Sequence, residues 1–260
     1  MILEATAITK EYKVKGKEKF KALERVSFSL KENEVLGIVG ESGSGKSTLA
    51  DIAGGLTSPT EGSVFFSGRD ISKLKGEERR SFRRSVQFIF QSPKESMNPY
   101  FNIHRILSEP LDINYKELSR EEKDMRIKEM LERVGIDSEK TLSKYPSSFS
   151  GGQLQRIAIA RALLLNPKVL ISDECTSALD VSLQAQILNL LMSLKKEFST
   201  SLLFISHDIS LVRYVSDRII VMKSGKIVEE GDAESVINNP KEEYTKALIK
   251  AAMMEGIDEA

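Results

Sequence analysis

The chain has 260 residues, which is long enough for one large α/β domain or for one domain with an inserted subdomain. Its 38 Lys and Arg balance 38 Asp and Glu, and this zero net charge argues against a strongly electrostatic nucleic-acid binder. The single cysteine excludes an internal disulfide and suits a reducing cytosol, no apolar run is long enough to predict a membrane span, and the N-terminus lacks the layout of a signal peptide.

The first part of the chain, residues 1–37, is predicted to form β structure. Val26, Phe28 and Leu30 alternate with polar residues, which is the period of a half-buried strand. Tyr12 lies near the end of a first strand. Its aromatic ring is either a surface group or a platform on which an adenine base stacks.

A phosphate-binding loop is predicted at residues 40–48, which fit the spacing Gly, four residues, Gly-Lys-Ser. An apolar strand is predicted before this loop and a helix after it, a context that a plain Gly/Ser turn does not require. The glycines let backbone N–H groups point at an anion, and the helix N-terminus adds partial positive charge. Lys46 is expected to reach the β- and γ-phosphates, and the Ser47 hydroxyl to ligate Mg²⁺. The predicted phosphate-site residues are Gly40, Ser42, Gly43, Ser44, Gly45, Lys46, Ser47 and Thr48.

The middle of the chain is predicted to be mainly helical. Residues 76–84 read as a helix whose arginines form a solvated face, and residues 100–165 continue as helices. Between them Gln91 ends a predicted strand, and from its position alone it could reach either a bound Mg²⁺ or a water molecule. His104 has no acidic or cysteine partner at ligand spacing, so we expect a surface or interface side chain rather than a metal ligand.

A second anion site is predicted where Ser150, Gly151 and Gly152 begin a helix. A phosphate bound there would lie away from Lys46. Two separate phosphate sites in one chain make sense if this site faces the nucleotide of another subunit.

Two further strands are predicted to end in polar groups. The first ends in Asp173 and Glu174, of which Asp173 is expected to hold Mg²⁺ through water and Glu174 to polarise the water that attacks the γ-phosphate. The alternative is a pair of solvated carboxylates. The second ends near His207, which is expected to donate a hydrogen bond to the γ-phosphate.

Together these motifs resemble the nucleotide-binding subunit of ATP-binding cassette (ABC) transporters, over nearly the whole chain. The most specific element is Phe-Ser-Gly-Gly-Gln at residues 149–153, which is similar to the family signature, where Leu is more frequent at the first position. The resemblance implies that ATP and Mg²⁺ bind, and that two subunits form a head-to-tail dimer in which the signature of one closes over the ATP of the other. The residues that it assigns, beyond the phosphate loop, are Tyr12 (adenine stacking), Gln91 (Q-loop), Ser150, Gly151, Gly152 and Gln153 (signature), Asp180 (D-loop) and His207 (switch).

The subfamily is indicated by residues 91–99, which are similar to the segment after the Q-loop in oligopeptide, dipeptide and nickel importers. Tyr244 begins a segment that resembles the start of their C-terminal extension, although Glu242 and Glu243 stand where His-Pro is usual. No cysteine lies in this extension, so no iron–sulfur cluster is expected. Cys175 departs from the family's usual proline and places a thiol beside the catalytic carboxylate.

The predicted fold class is α/β. A P-loop nucleotide hydrolase core with an N-terminal antiparallel β subdomain and a short C-terminal helical tail takes residues 1–91 and 166–260, and an inserted α-helical signature subdomain takes residues 92–165. The predicted function is ATP hydrolysis at the cytoplasmic face of the membrane, powering import of peptides or similar small solutes through separate transmembrane permease subunits. An extracellular solute-binding protein would be an indirect partner, and no nucleic acid is involved.

Several alternatives remain open from the sequence. The solute could be a nickel chelate or an oligosaccharide. Three rival functions are disfavoured: the importer-like segments argue against an exporter subunit, the single cassette without a coiled-coil insert against a soluble cassette ATPase, and the intact Glu174 and His207 against a module without turnover.

A permease docking site is hypothesised at residues 98–106. The apolar residues of this stretch either form that site or point into the helical subdomain; they are Pro99, Tyr100, Phe101, Ile103 and Ile106.

Overall fold

The protein contains both strands and helices. Its computed structural model describes residues 1–13, 19–177 and 179–258, with side chains to residue 252. The strands are β1 (Leu3–Tyr12), β2 (Phe20–Leu30), β3 (Val35–Val39), β4 (Glu61–Phe66), β5 (Arg69–Asp70), β6 (Val86–Ile89), β7 (Val169–Asp173), β8 (Ser201–Ser206), β9 (Arg218–Lys223) and β10 (Lys226–Asp232). The helices are α1 (Lys46–Ala53), α2 (Gly76–Ser85), α3 (Ile103–Asn114), α4 (Arg120–Arg133), α5 (Ser138–Thr141), α6 (Gly151–Leu163), α7 (Val181–Glu197), α8 (Ile209–Val215), α9 (Ala233–Asn238) and α10 (Glu243–Asp258).

The chain divides into two units, and the first consists of Met1–Arg79 with Thr200–Ala260. It contains an antiparallel sheet in the order β2-β1-β4-β5, in which Leu3 of β1 pairs with Leu30 of β2 and with Phe66 of β4. The apolar residues that alternate along β2 are buried on one face of this sheet. The predicted antiparallel β structure near the N-terminus is therefore confirmed.

The same unit also contains the strand that leads into the phosphate loop. β3 lies between β8 and β9 and is parallel to both, and β10 returns antiparallel to β9. Every residue of β3 is buried, as expected for a parallel strand that is covered on both faces. This arrangement is a parallel core with an antiparallel edge strand, and it confirms the predicted α/β class.

The second unit is Arg80–Ser199 and contains the parallel pair β6 and β7, helices α3 to α7 and the later part of α2. Ser119 and Glu122 form the predicted capping box of α4, and the chain leaves this helix through Gly135, whose φ is +73°. The predicted charged helix is α2, where Arg83 is exposed and Arg84 lies over the ring of Tyr115. Helical structure from α3 to α6 confirms the prediction for residues 100–165.

Two details of α3 differ from what the sequence indicated. Ile103 and Ile106 are only 0% and 2% exposed, so their side chains belong to the core of the helical unit and the part of the docking hypothesis that includes them is wrong. His104 has an acidic partner, since its Nε2 lies 2.7 Å from Asp124 Oδ1. Twenty residues separate the pair in the sequence, and only the packing of α3 against α4 brings them together.

Candidate functional site

The phosphate loop joins β3 to α1 and has the backbone conformation that its glycines permit. Gly45 has a φ of +102°, and a Cβ added there would lie 2.7 Å from the carbonyl oxygen of Ala22. Any larger residue would therefore need both a strained backbone and a shift of β2. Gly43 has a φ of +78° with open space around it, which leaves its backbone accessible.

The lysine of this loop is buried within it. Lys46 Nζ donates to the carbonyl oxygens of Gly40 at 2.6 Å and Glu41 at 2.9 Å. No side chain caps the N-terminus of α1, and among the described residues the buried Ser44 Oγ has no hydrogen-bond partner. An ammonium group, an uncapped helix N-terminus and a buried hydroxyl without a partner suit a polyphosphate, which offers several acceptor oxygens.

Two other predicted residues belong to the same unit. Val39, the last residue of β3, pairs with Ser206, the last residue of β8, so His207 leaves the sheet at the same edge as the phosphate loop. Tyr12 ends β1 with its side chain 40% exposed, and Lys10 Nζ lies 5.2 Å from the ring centroid. The ring is accessible to a base, and adenine stacking stays a prediction.

The second unit brings Gln91 and Glu174 into direct contact. Ile89 of β6 pairs with Ser172 of β7, so both strands deliver their next residues to one edge. Gln91 Nε2 donates to Glu174 Oε2 at 3.2 Å and to Ser177 Oγ at 3.3 Å. Gln91 lies two residues beyond β6, because the strand ends earlier than predicted. Ser177 was not singled out from the sequence, although its spacing of three residues from Glu174 is that of a turn.

Glu174 also has an unusual backbone. It follows the end of β7 with a φ of +47°, in the left-handed region that a residue with a Cβ rarely adopts. Such a conformation costs on the order of 1–3 kcal/mol and is frequently found where a side chain must be aimed for function. The turn directs the Glu174 carboxylate towards Gln91.

Cys175 directly follows Glu174 in the chain, and its thiol has low reactivity. The thiol is buried, and burial is the main cause that raises its pKa to about 11, with the nearby Asp173 carboxylate also raising it. The thiol therefore stays protonated at neutral pH, and its accessibility and nucleophilicity are both low.

The signature residues form the N-terminus of α6. Ser150 Oγ accepts from the Gln153 N–H, and Gln153 Oε1 accepts from the Ser150 N–H, which is a complete capping box. Ser150 and Gly151 are exposed, whereas Gly152 is buried against Leu183. Asp180, predicted as the D-loop aspartate, caps α7 by accepting from the N–H of Leu183 at 2.9 Å. Gln153 and Asp180 thus have structural roles as helix caps, which were not predicted from the sequence.

Neither a metal cluster nor a membrane span is found in the described part of the chain. Among the described side chains, which end at residue 252, no group of three or more His, Cys, Asp and Glu is arranged to hold a metal ion. In residues 1–13, 19–177 and 179–258, no helix has the length and apolar character needed to cross a membrane.

A strand, a glycine-rich loop around a buried lysine and a following helix define a P-loop nucleotide-binding protein of the α/β class. A family model described as ABC transporter matches residues 23–177. The chain belongs to the ABC transporter family.

Its relatives among known proteins are ATP-binding proteins of peptide transport. The chain is 46% identical to the di/tripeptide transport ATP-binding protein DppF of Pseudomonas aeruginosa, over 96% of this chain and 78% of that protein. It is 48% identical to the oligopeptide transport ATP-binding protein OppF of Salmonella typhimurium, over 89% of this chain and 69% of that one. AppF of Bacillus subtilis, also an oligopeptide transport ATP-binding protein, is 48% identical over 89% of this chain and 70% of its own length.

Solved structures give the same fold. The ATP-binding cassette MJ0796, a dimer in a post-hydrolysis state with ADP and Pi, superposes with a TM-score of 0.80 at 35% identity, over 89% of this chain and 98% of that one. CbiO1 from Clostridium perfringens, part of the transporter complex cbiONQ, has a TM-score of 0.78 at 29% identity, over 100% of this chain and 99% of that one. The predicted α/β P-loop fold, ATP binding and the assignment to the ATPases of ABC transporters are confirmed.

Proposed function

We propose that this chain is the ATP-hydrolysing subunit of a peptide importer and works at the cytoplasmic face of a membrane with separate permease subunits. The observation that supports the catalytic assignment is the contact of Gln91 Nε2 with Glu174 Oε2. This hydrogen bond links Gln91, in the loop after β6, to the Glu174 carboxylate, which would orient the attacking water. The peptide class is supported by relatives that are 46% and 48% identical and are named for peptide transport.

The chemistry proposed for the site follows from the residue types. The phosphate-loop N–H groups and Lys46 would hold the β- and γ-phosphates and neutralise charge that develops as water attacks the γ-phosphorus and the bond to ADP breaks. Glu174 would accept a hydrogen bond from that water, and His207 would donate one to a γ-phosphate oxygen. The Ser47 hydroxyl, the Asp173 carboxylate and the Gln91 side-chain oxygen would supply oxygen ligands of the kind that suits Mg²⁺, which would screen the phosphate charges.

The remaining site residues are proposed to act between subunits. The exposed N-terminus of α6, at Ser150 and Gly151, is available to an anion supplied by a partner, and its cap leaves the helix dipole pointing outward. Gln153 and Asp180 would lie beside that anion. A head-to-tail dimer of two identical or two related subunits would complete the site.

We also propose the domain boundaries that the sequence predicts. The nucleotide-binding core would take residues 1–91 and 166–260, and the helical subdomain would take residues 92–165.

Mixing two defective subunits tests the site between subunits. A subunit carrying Ser150→Arg, mixed with one carrying Lys46→Ala, should recover part of the wild-type ATPase rate, because in a mixed head-to-tail dimer both lesions fall on one composite site and the other stays intact. The rate should exceed that of either variant alone. Crosslinking should establish that mixed dimers form. Mixed dimers without recovery would contradict sites shared between subunits.

Uptake measurements test the solute class. A strain of the source organism that lacks this chain should lose accumulation of a radiolabelled tripeptide, and the wild-type chain but not Lys46→Ala should restore it, because uptake is expected to need ATP hydrolysis. Nickel and labelled oligosaccharide uptake are measured in the same strains. Loss of either of those with unchanged peptide uptake would replace the peptide assignment.

A further inference from the structure

A tyrosine of the C-terminal helix contacts the phosphate loop. The N–H of Glu41 donates to Tyr244 Oη at 3.1 Å, although the two residues are 203 positions apart in the sequence. Both belong to the first unit. Tyr244 is half-buried, and none of the catalytic roles described above uses it.

The peptide group that Tyr244 contacts is the one that restrains the loop lysine. The N–H of Glu41 and the carbonyl of Gly40 belong to a single planar peptide, and Lys46 Nζ donates to that carbonyl at 2.6 Å. In a trans peptide the N–H and C=O point in opposite directions, so fixing the N–H fixes the C=O. A hydrogen bond accepted from the N–H also polarises the carbonyl and strengthens its bond to the ammonium group.

Tyr244 is itself held in place from two sides. Lys223 Nζ lies 4.5 Å from the centroid of its ring, within the range of a cation–π contact. The start of α10 is fixed by the buried Glu229, whose carboxylate accepts from the N–H groups of Lys241 at 2.8 Å and Glu242 at 3.1 Å. Burial alone would raise the pKa of Glu229, but its hydrogen bonds outweigh burial and lower it, so the carboxylate is ionised at neutral pH.

The turn between β9 and β10 supports the other side of the loop. The N–H of Gly225 donates to the carbonyl oxygen of Ser44 at 2.9 Å, and the carbonyl oxygen of Gly225 accepts from Glu24. The phosphate loop is thus held at Ser44 by a backbone contact and at Glu41 by a side chain. Only the second contact can be removed by one substitution that leaves the backbone unchanged.

We infer that Tyr244 is a positioning residue of the ATP site, which fixes the Gly40–Glu41 peptide and through it the place of Lys46. This inference rests on ATP binding at the phosphate loop. It gives the start of the C-terminal helix a part in nucleotide affinity, in addition to any role in packing. The ring and the hydroxyl of Tyr244 have separable functions, because the ring packs against Lys223 and the hydroxyl contacts the N–H of Glu41.

The test removes the hydroxyl alone. Tyr244→Phe should weaken binding of ATP and of ADP about 3–10-fold, the range expected for one hydrogen bond, with an unchanged melting temperature. In a Lys46→Ala background the same change should have an effect of less than about 2-fold, since the group that it positions is gone. Tyr115→Phe is the matched control in the other unit, because the Tyr115 hydroxyl also makes one hydrogen bond with the backbone, in this case by donating to the carbonyl of Leu165.

Backbone hydrogen exchange distinguishes positioning from packing. In Tyr244→Phe, exchange should become faster in the phosphate-loop peptide that contains Glu41 and stay unchanged across α10. Faster exchange across α10 with a lower melting temperature would show that Tyr244 only anchors its helix, and an equal loss of affinity with and without Lys46 would also overturn the inference. If wild-type protein fails to bind ATP, the proposed function fails; if wild type binds and Tyr244→Phe binds equally well, only this inference fails.

Discussion

Glu174→Gln is expected to lower the ATP hydrolysis rate by about 10²–10³-fold while Mg-ATP still binds, as for the loss of one group that stabilises the transition state. The amide is nearly isosteric with the carboxylate and keeps an oxygen that can accept from Gln91 Nε2, so the 3.2 Å contact with Gln91 can persist. What the substitution removes is the negative charge that polarises the attacking water. ATP should then hold a long-lived dimer, because opening is expected to follow hydrolysis.

Single-turnover hydrolysis, ATP titration and size-exclusion chromatography with ATP measure these three effects. Glu129→Gln provides the control, since it makes the same chemical change at an exposed position of α4 in the same unit. An unchanged hydrolysis rate in Glu174→Gln would remove the catalytic assignment. Loss of ATP binding together with hydrolysis would mean that Glu174 acts on the nucleotide's ground state rather than on the attacking water.

The double substitution Tyr100→Ala with Phe101→Ala is expected to weaken permease binding by roughly 2–4 kcal/mol, as for truncated aromatic hot spots. Tyr100 is 86% exposed, and Phe101 is half-buried with the Arg105 guanidinium 3.6 Å from its ring centroid. Tyr100 and Phe101 thus form a partly exposed aromatic surface, which is the kind of surface that marks an interaction site. Gln91 shortly precedes them in the sequence, so docking at this surface is expected to be coupled to the γ-phosphate. Ile103 is part of the core and contributes no docking surface.

Co-purification with the permease is measured beside thermal unfolding and ATP affinity. Tyr100→Ala alone is the cleaner variant, because this side chain has little packing to lose, and it should show part of the loss with an unchanged melting temperature. Tyr214→Ala, at an exposed position on α8, is the matched aromatic control. A double variant that stays folded and still binds the permease would place docking elsewhere on the chain.

The sequence by itself determined the elements that depend on neighbours along the chain. The phosphate loop could be placed because strand, glycine spacing, Lys46 and helix are contiguous, and each choice of residue has a local physical reason. The capping box of α4 at Ser119 was predictable for the same reason, since its hydrogen bonds span three residues. The start of α6 at Ser150 was predictable as a helix N-terminus, although the capping role of Gln153 was not.

The tertiary structure alone decided which distant residues meet. Gln91 and Glu174 are 83 positions apart, and their contact follows from the register of β6 against β7, which no local pattern encodes. Burial of Ile103 depends likewise on how α3 packs, because the sequence does not distinguish an apolar side chain at a helix start that faces a partner from one that faces its own core. Tyr244 reaches the N–H of Glu41 only because β9, β10 and the helices after them return the chain to the phosphate loop. A hydrogen bond between residues a few positions apart can be predicted from their spacing in the sequence. A hydrogen bond between distant segments forms only when the sheet and the helices pack together.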